Sequence, residues 1–358
     1  MVGAVAKNIG LSPYQIGLLI AAQNLGFIVS VMISGALADT HSKPKILFIG
    51  SLILALAFLA FYSTELFWLN LAIMFAIGAG IGTYEGVTDA LLLDIHDERQ
   101  NYYINVNHFF VTLGAIIIAV YLTFLSVNWR NAVIQSGVVV LILAIVFALM
   151  RVRRRNVEHE PYRERLRILT RDRVVIALFA AVLLVVGVEA GSIGILTSYL
   201  VDLRGFTSSS AQIALILFLV GMAIGRLLVG YFSKDTQIVQ TILVLFGASV
   251  MIYGALYFLD IGQISYFTVM LAGLSMSALV PLLLTLAGML YPAMAGTVLG
   301  AVKVALPLGG IVLPLLMSMI TRQVSFQAAL IIFPLAYLLG FVILFSTIRD
   351  VKIASAEG

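Results

Sequence analysis

Four ionisable side chains, Glu85, Asp89, Glu189 and Lys303, fall inside long apolar runs of the chain. A charge at the centre of a bilayer costs about 2.5–3.5 kcal/mol on insertion scales. Four such groups approach a whole folding stability of roughly 5–15 kcal/mol. Each must therefore be protonated, paired or turned toward water. Glu85 and Glu189 sit near the middle of two different runs, at similar depth. A carboxyl group in an apolar cavity can load and release a proton, so Glu85 is the first candidate for a proton or hydroxyl-binding site, with Glu189 as its counterpart. The alternative for both is a permanently protonated structural carboxyl. Asp89 lies one helical turn from Glu85 on the same face. Lys303 lies at comparable depth in a later run, so a salt bridge from Lys303 to Asp89 or Glu85 would couple protonation to movement. Alternatively, Lys303 snorkels to the membrane face and Asp89 makes only local hydrogen bonds.

Uncharged polar groups make a second set. Asn107 and His108 open a further apolar run, and His108 can donate to a hydroxyl or tune Glu85, although a lone histidine near a helix end is often structural. Gln23 and Asn24 face either a cavity or a neighbouring helix, where amides serve as interhelical glue. Tyr84 and Tyr199 each offer a stacking face and a hydroxyl, or simply an interface aromatic. No two of the four histidines are at metal-ligand spacing and there is no cysteine, so no metal site is expected. No phosphate-cradling loop or nucleophile elbow is present, which speaks against an enzyme and against ATP-driven pumping.

The elements that carry these groups follow from composition. Of 358 residues, 62% are hydrophobic and only 11% charged, against roughly a quarter charged in soluble domains. Apolar stretches fall near 14–38, 44–63, 66–94, 103–127, 131–150, 174–203, 209–232, 237–259, 264–288, 294–320 and 326–347. Each is long enough to cross a bilayer as a helix. One set of loops, including 151–173 with nine arginines, holds fifteen Lys and Arg; the opposite set (Lys7, Arg130, Arg204, Arg322) holds four. The basic side is expected to be cytoplasmic, which puts the C-terminus inside. The loop 151–173 reads as a solvated linker with an amphipathic helix on the membrane, or as a lipid or partner contact. The small net charge of +4 suits membrane orientation better than nucleic-acid binding.

The halves repeat at an offset of 195 residues: Gly10-Leu11-Ser12 matches Gly205-Phe206-Thr207, Gly26 matches Gly221, and Gly35 matches Gly230. Ser12-Pro13-Tyr14-Gln15 reads as a helix start with a capping box. A repeat of this kind places a solute site between halves near the midplane. The second half has six spans and the first has five, so either one helix is lacking or the sequence begins late, with residues 1–6 as the outer end of a further helix.

These motifs carry a family resemblance. Gly35-Ala36-Leu37-Ala38-Asp39 followed by Lys43-Pro44-Lys45, its counterpart Gly225-Arg226-Leu227-Leu228-Val229-Gly230, and Trp129-Arg130 resemble motifs of the major facilitator superfamily. Gly78 to Gly86 around Glu85, Asn105 to Phe110 with Leu113-Gly114-Ala115, Gly187-Val188-Glu189 with Tyr199-Leu200, and Pro281 with Leu308-Gly309-Gly310 and Pro314 resemble its fucose–galactose–glucose proton symporter branch. Asp89 stands where that branch has an amide, and the Gly-Pro motif of drug antiporters is missing from the fifth helix. The resemblance implies an all-α polytopic fold of two pseudo-symmetric bundles, with eleven spans of the usual twelve. It implies domains at 1–150 and 174–358 joined by the linker 151–173. It also implies a gate in which Asp39 pairs with a basic residue, Arg99 being the candidate, with Arg226 in the matching position of the second half.

The expected activity is proton-coupled uptake of a sugar or similar small polar solute by alternating access. The alternatives are a proton-driven exporter of drugs or metabolites, or a non-transporting homologue. The expected partners are the solute, a proton and the lipid bilayer, with no nucleic acid and no cofactor. A monomer in the plasma membrane is expected.

Overall fold

The computed structural model describes residues 9–124, 129–152, 161–259 and 262–348. The segment 1–6, Lys7, Arg153, Arg154, Arg155, Glu158, His159, Glu160, Arg349 and Lys352 lie outside the described residues. Among the described residues the fold is all helix: α1 (Pro13–Thr40), α2 (Lys43–Ala60), α3 (Phe67–Ile95), α4 (Gln100–Phe124), α5 (Trp129–Leu149), α6 (Tyr162–Arg171), α7 (Arg173–Arg204), α8 (Ser208–Phe232), α9 (Ile238–Phe258), α10 (Ser265–Ser277), α11 (Leu279–Leu290), α12 (Ala295–Lys303), α13 (Ala305–Gln323), α14 (Phe326–Ala329) and α15 (Ile332–Ile348). Ten helical stretches among the described residues are long and apolar enough to cross a membrane. The 25-residue α4 covers residues 103–124 of the remaining expected segment. Large apolar side chains stand exposed along these helices, as in Val139, Ile142 and Val146 of α5 and Met251 of α9. Lipid, not water, is the solvent for such faces.

Helix starts are written locally. Ser12 caps α1 through Gln15, completing the capping box, and Thr207 caps α8 by accepting from the Ser210 N–H at 3.2 Å. The glycines before these caps, Gly10 and Gly205, have φ of +74° and +70°, a backbone state open to glycine at little cost.

Three expected spans, 264–288, 294–320 and 326–347, are each broken in two. The breaks fall at Ala278, Val304 and Leu330–Ile331. Each has a proline at the third position of the following helix: Pro281, Pro307 and Pro334. A proline has no N–H for the carbonyl four residues back, and its ring crowds that carbonyl. The apolar runs continue across these points, so hydropathy alone does not reveal them.

The chain forms two compact units. The first comprises Met1–Ile95, Gly114–Arg165 and Tyr291–Val304. In it α1 packs along α3, α2 packs against α3 and α5, and α12 from the second half of the sequence packs against α1 and α3. The second comprises His96–Leu113, Leu166–Leu290 and Ala305–Gly358. In it α7 packs against α13 and α15, α8 against α10, and α9 against α10 and α15.

The 195-residue repeat reappears as backbone packing. A Cβ on Gly26 would meet the Phe75 carbonyl, and one on Gly221 would meet the Met270 carbonyl. Gly78 meets the Gln23 carbonyl, and Gly273 meets that of Phe218. All four pairs keep the same offset. Here two helix backbones approach closer than any side chain permits.

Candidate functional site

In the first unit, α12 ends at Lys303 because Pro307 leaves the Lys303 carbonyl without its helical donor. The side chain is 1% exposed. Its ammonium donates to the Glu85 carbonyl oxygen at 2.7 Å and to Glu85 Oε2 at 2.8 Å. It also lies 2.7 Å from Asp89 Oδ2. An ammonium has three donors, and three acceptors surround this one. Glu85 and Asp89 reach it together because they are one turn apart on α3. Asp89 is fully enclosed, whereas 23% of the Glu85 side chain is exposed. Lys303 therefore does not snorkel. With both carboxylates ionised the cluster carries one excess negative charge, and Glu85 is its most exposed member.

The same unit holds Asp39, near the end of α1. Its carboxylate accepts the N–H of Gly296 at 2.7 Å and of Thr297 at 3.0 Å, at the first turn of α12. It also accepts from the Thr297 hydroxyl and from Arg165 Nη1, the latter at 3.1 Å. Anions favour helix N-termini, where backbone N–H groups lack partners. The same Arg165 nitrogen donates to Thr297 Oγ1 at 3.0 Å and to the Ala36 carbonyl at 3.3 Å. The basic residue paired with Asp39 here is Arg165, which α6 carries to the spot. The Arg99 guanidinium lies 5.0 Å from the ring centroid of Tyr102 and 5.3 Å from that of Tyr231.

In the second unit Arg226 is buried inside α8. Its Nε donates to the Ser277 carbonyl at 3.1 Å, the carbonyl that Pro281 deprives of a helical donor. Its Nη1 donates to the His108 carbonyl at 2.8 Å and to the Thr112 hydroxyl. Glu189 Oε1 stands 3.8 Å from Nη2 and is a quarter exposed. Hydrogen bonds to neutral oxygens hold this guanidinium, with the carboxylate as a looser counter-ion.

The second unit also contains a carboxylate that answers to Asp39. Asp235, just after α8, accepts the N–H of Gln100 at 2.9 Å and of Asn101 at 3.1 Å, at the start of α4. The repeat offset carries Asp39 to within one residue of Asp235 and Gly296 back to Asn101. Sequence reasoning missed Asp235, Arg165 and Thr297. For Asp235 the offset was a usable signal.

The remaining candidates are dispersed. Gln23 and Asn24 are half-buried on α1, and no hydrogen bond joins either side chain to the described residues. Tyr84 donates to or accepts from Ser51 at 2.6 Å and packs edge-on to Phe147. Tyr199 is buried; its hydroxyl donates to the Leu256 carbonyl at 2.5 Å and accepts from Arg204 Nε at 2.6 Å. That knot fixes the end of α7; Tyr199 is 1% exposed, and its ring and that of Tyr257 pack at right angles with centroids 4.9 Å apart. Asn107 is half-buried and His108 is buried, both on the part of α4 that belongs to the second unit. Among the described residues no group of three His, Cys, Asp or Glu is placed to hold a metal ion.

No curated protein sequence matches the chain. Solved structures do. The crystal structure of the transporter FucP in the outward conformation superposes with a TM-score of 0.80 at 20% identity, covering 98% of this chain and 96% of that one. The human organic anion transporter MFSD10 (TETRAN) gives 0.74 at 17% identity, covering 96% and 88%. The proton:xylose symporter XylE bound to 6-bromo-6-deoxy-D-glucose gives 0.72 at 12% identity, covering 96% and 90%. FucP from E. coli is described as a fucose:proton symporter. At these identities the likeness establishes the fold. The family model of the Major Facilitator Superfamily matches residues 1–305. The chain therefore belongs to the Major Facilitator Superfamily, a family of multi-pass membrane transporters rather than enzymes.

Proposed function

We propose that the chain is a secondary active transporter that takes up a sugar or similar small polar solute together with a proton. The observation that carries this reading is the Lys303 ammonium enclosed by Glu85 and Asp89. Protonating Glu85, the most exposed member, removes one of the two charges that hold Lys303. The hold on α12 then weakens, and α12 can leave α1 and α3. Breaking a buried pair on one side is costly, about 3–5 kcal/mol, so proton occupancy and helix position become linked. Gln23, Asn24 and Glu85 offer the amide and carboxylate chemistry that sugar hydroxyls use. The sugar:proton symporters among the structural neighbours support the substrate class.

In this reading Asp39 and Asp235 are paired gate elements, each holding the start of a helix from the other half of the sequence. The halves 1–150 and 174–358 move about the linker 151–173. The excess of Lys and Arg on one set of loops supports a plasma-membrane orientation with the C-terminus inside, and the working unit is a monomer.

The test is uptake by the reconstituted full chain of a panel of sugars, with and without an inward proton gradient. Accumulation of one sugar only when the gradient is imposed supports the reading. Uptake that ignores the gradient removes the proton.

A second reading is transport of an organic anion, inward or outward. Arg226, buried with its carboxylate held 3.8 Å away, has the chemistry to take a solute carboxylate in place of Glu189. Competition of uptake by organic anions rather than sugars would favour it.

A further inference from the structure

The helix α6 has two faces. At 3.6 residues per turn, Arg165 falls with Ile168 and Leu169, and these three are buried or half-buried. Arg167, Thr170 and Arg171 fall on the other side and are exposed, as is Arg173 at the first position of α7. Glu164, at the edge of that outer face, is half-buried, and Asp172 is engaged as the cap of α7 through the Val174 N–H at 2.7 Å. The linker 151–173 as a whole holds nine arginines against four carboxylates.

Position decides what such a face meets. The spans α5 and α7 end and begin at Leu149 and Arg173, so α6 lies where the chain leaves and re-enters the bilayer. Arg171 and Arg173 bracket the entry point itself. Lipid phosphates flank the ends of spanning helices, and basic residues near an anionic surface are drawn to it. The guanidinium fork matches a phosphate in two hydrogen bonds.

We propose that Arg167, Arg171 and Arg173 dock anionic phospholipid headgroups, and that this docking holds Arg165 in its seat on Asp39 and Thr297. The partner is lipid because the face adjoins the start of the spanning helix α7 and carries an excess of positive charge. Lipid charge then sets how firmly α12 is held. The proposal rests on reading the Asp39 cluster as a gate element, and it is independent of the solute.

The chain has no cysteine, so a single Val298→Cys variant, at a fully buried position on α12, reports α12 seating by maleimide labelling. In vesicles of phosphatidylcholine with phosphatidylglycerol, labelling is about tenfold slower than in phosphatidylcholine alone, a scale set by the attraction of a few basic residues. High salt erases the difference. Replacing Arg167, Arg171 and Arg173 together by Gln abolishes it. Equal labelling in the two vesicle types overturns the proposal, as does a lipid effect that survives the triple replacement. Protection by inorganic phosphate in neutral vesicles would assign the face to a soluble anion and also overturn it. Failure of the gate reading shows separately: Arg165→Gln added to Val298→Cys would then label at the rate of Val298→Cys alone in neutral vesicles.

Discussion

Lys303 and Asp89 meet at 2.7 Å with 1% and 0% of their side chains exposed, and they come from opposite halves of the sequence. Glu85 shares the same ammonium and is the most exposed of the three side chains. In the proposed reading, Glu85 is the member of this cluster that takes up the proton.

Removing the cation alone leaves two carboxylates facing each other in an apolar place. Lys303→Ala is expected to lose about 3–5 kcal/mol of stability and to abolish gradient-driven accumulation. Adding Asp89→Asn to that variant restores much of the stability, because the uncompensated charge is gone, but not the accumulation. Thermal unfolding in detergent and uptake in proteoliposomes measure the two effects.

Asp39 and Asp235 hold the first turns of α12 and α4 by equivalent bonds. Hydrogen bonds to a charged group contribute about 1.5–3 kcal/mol each. Asp39→Asn and Asp235→Asn should each increase labelling of Val298→Cys or of a cysteine at Asn105, respectively, and reduce transport. The order of preference among solutes should not change. A change in preference alone would contradict the gate role.

The glycine packing makes a paired stability prediction. A methyl group at Gly78 or Gly273 would run into a backbone carbonyl that has no rotamer to escape by. Overpacking of this kind costs about 1–3 kcal/mol or more. Gly17→Ala, where nothing lies within 4 Å, should hold or slightly raise the unfolding midpoint, since alanine favours the helix. Equal midpoints for Gly17→Ala and Gly78→Ala would contradict the close approach of α1 and α3.

Asn70 holds the turn between α2 and α3. Its side chain is fully buried, accepts the Tyr62 N–H at 2.7 Å and donates to the Thr64 and Leu66 carbonyls at 2.8 and 3.0 Å. Tyr62 needs that support, since its φ is +50°, and Arg130 Nη2 donates to its carbonyl at 2.5 Å. Asn70→Ala leaves the Tyr62 N–H buried without its acceptor, a loss of about 1–3 kcal/mol. A lowered unfolding midpoint checks it.

The spans, the repeat and the intramembrane charges were legible in the sequence because each rests on a strong local signal: a long apolar run, a fixed offset, a charge where lipid rejects it. Less was legible where a partner is chosen by tertiary packing. Arg165 is one of nine arginines in the linker, and nothing in its neighbours marks it as the one that turns inward. Asp235 looks like a solvated charge after α8 until its repeat relation to Asp39 is used. The breaks at Ala278, Val304 and Leu330–Ile331 hide inside continuous apolar runs, although Pro281, Pro307 and Pro334 mark them three to four residues on. Tyr199 has the side chain of a solute-facing residue, but Arg204, five residues away, claims its hydroxyl.

The most direct test compares the parent chain with Glu85→Gln in proteoliposomes, following accumulation of the accepted solute as the external medium is acidified. The parent should accumulate more as pH falls, because the proposed reading makes the proton a co-substrate. Glu85→Gln should accumulate none at any pH yet still exchange solute across the membrane. Accumulation by Glu85→Gln that equals the parent and keeps its pH dependence would contradict the role assigned to this carboxylate.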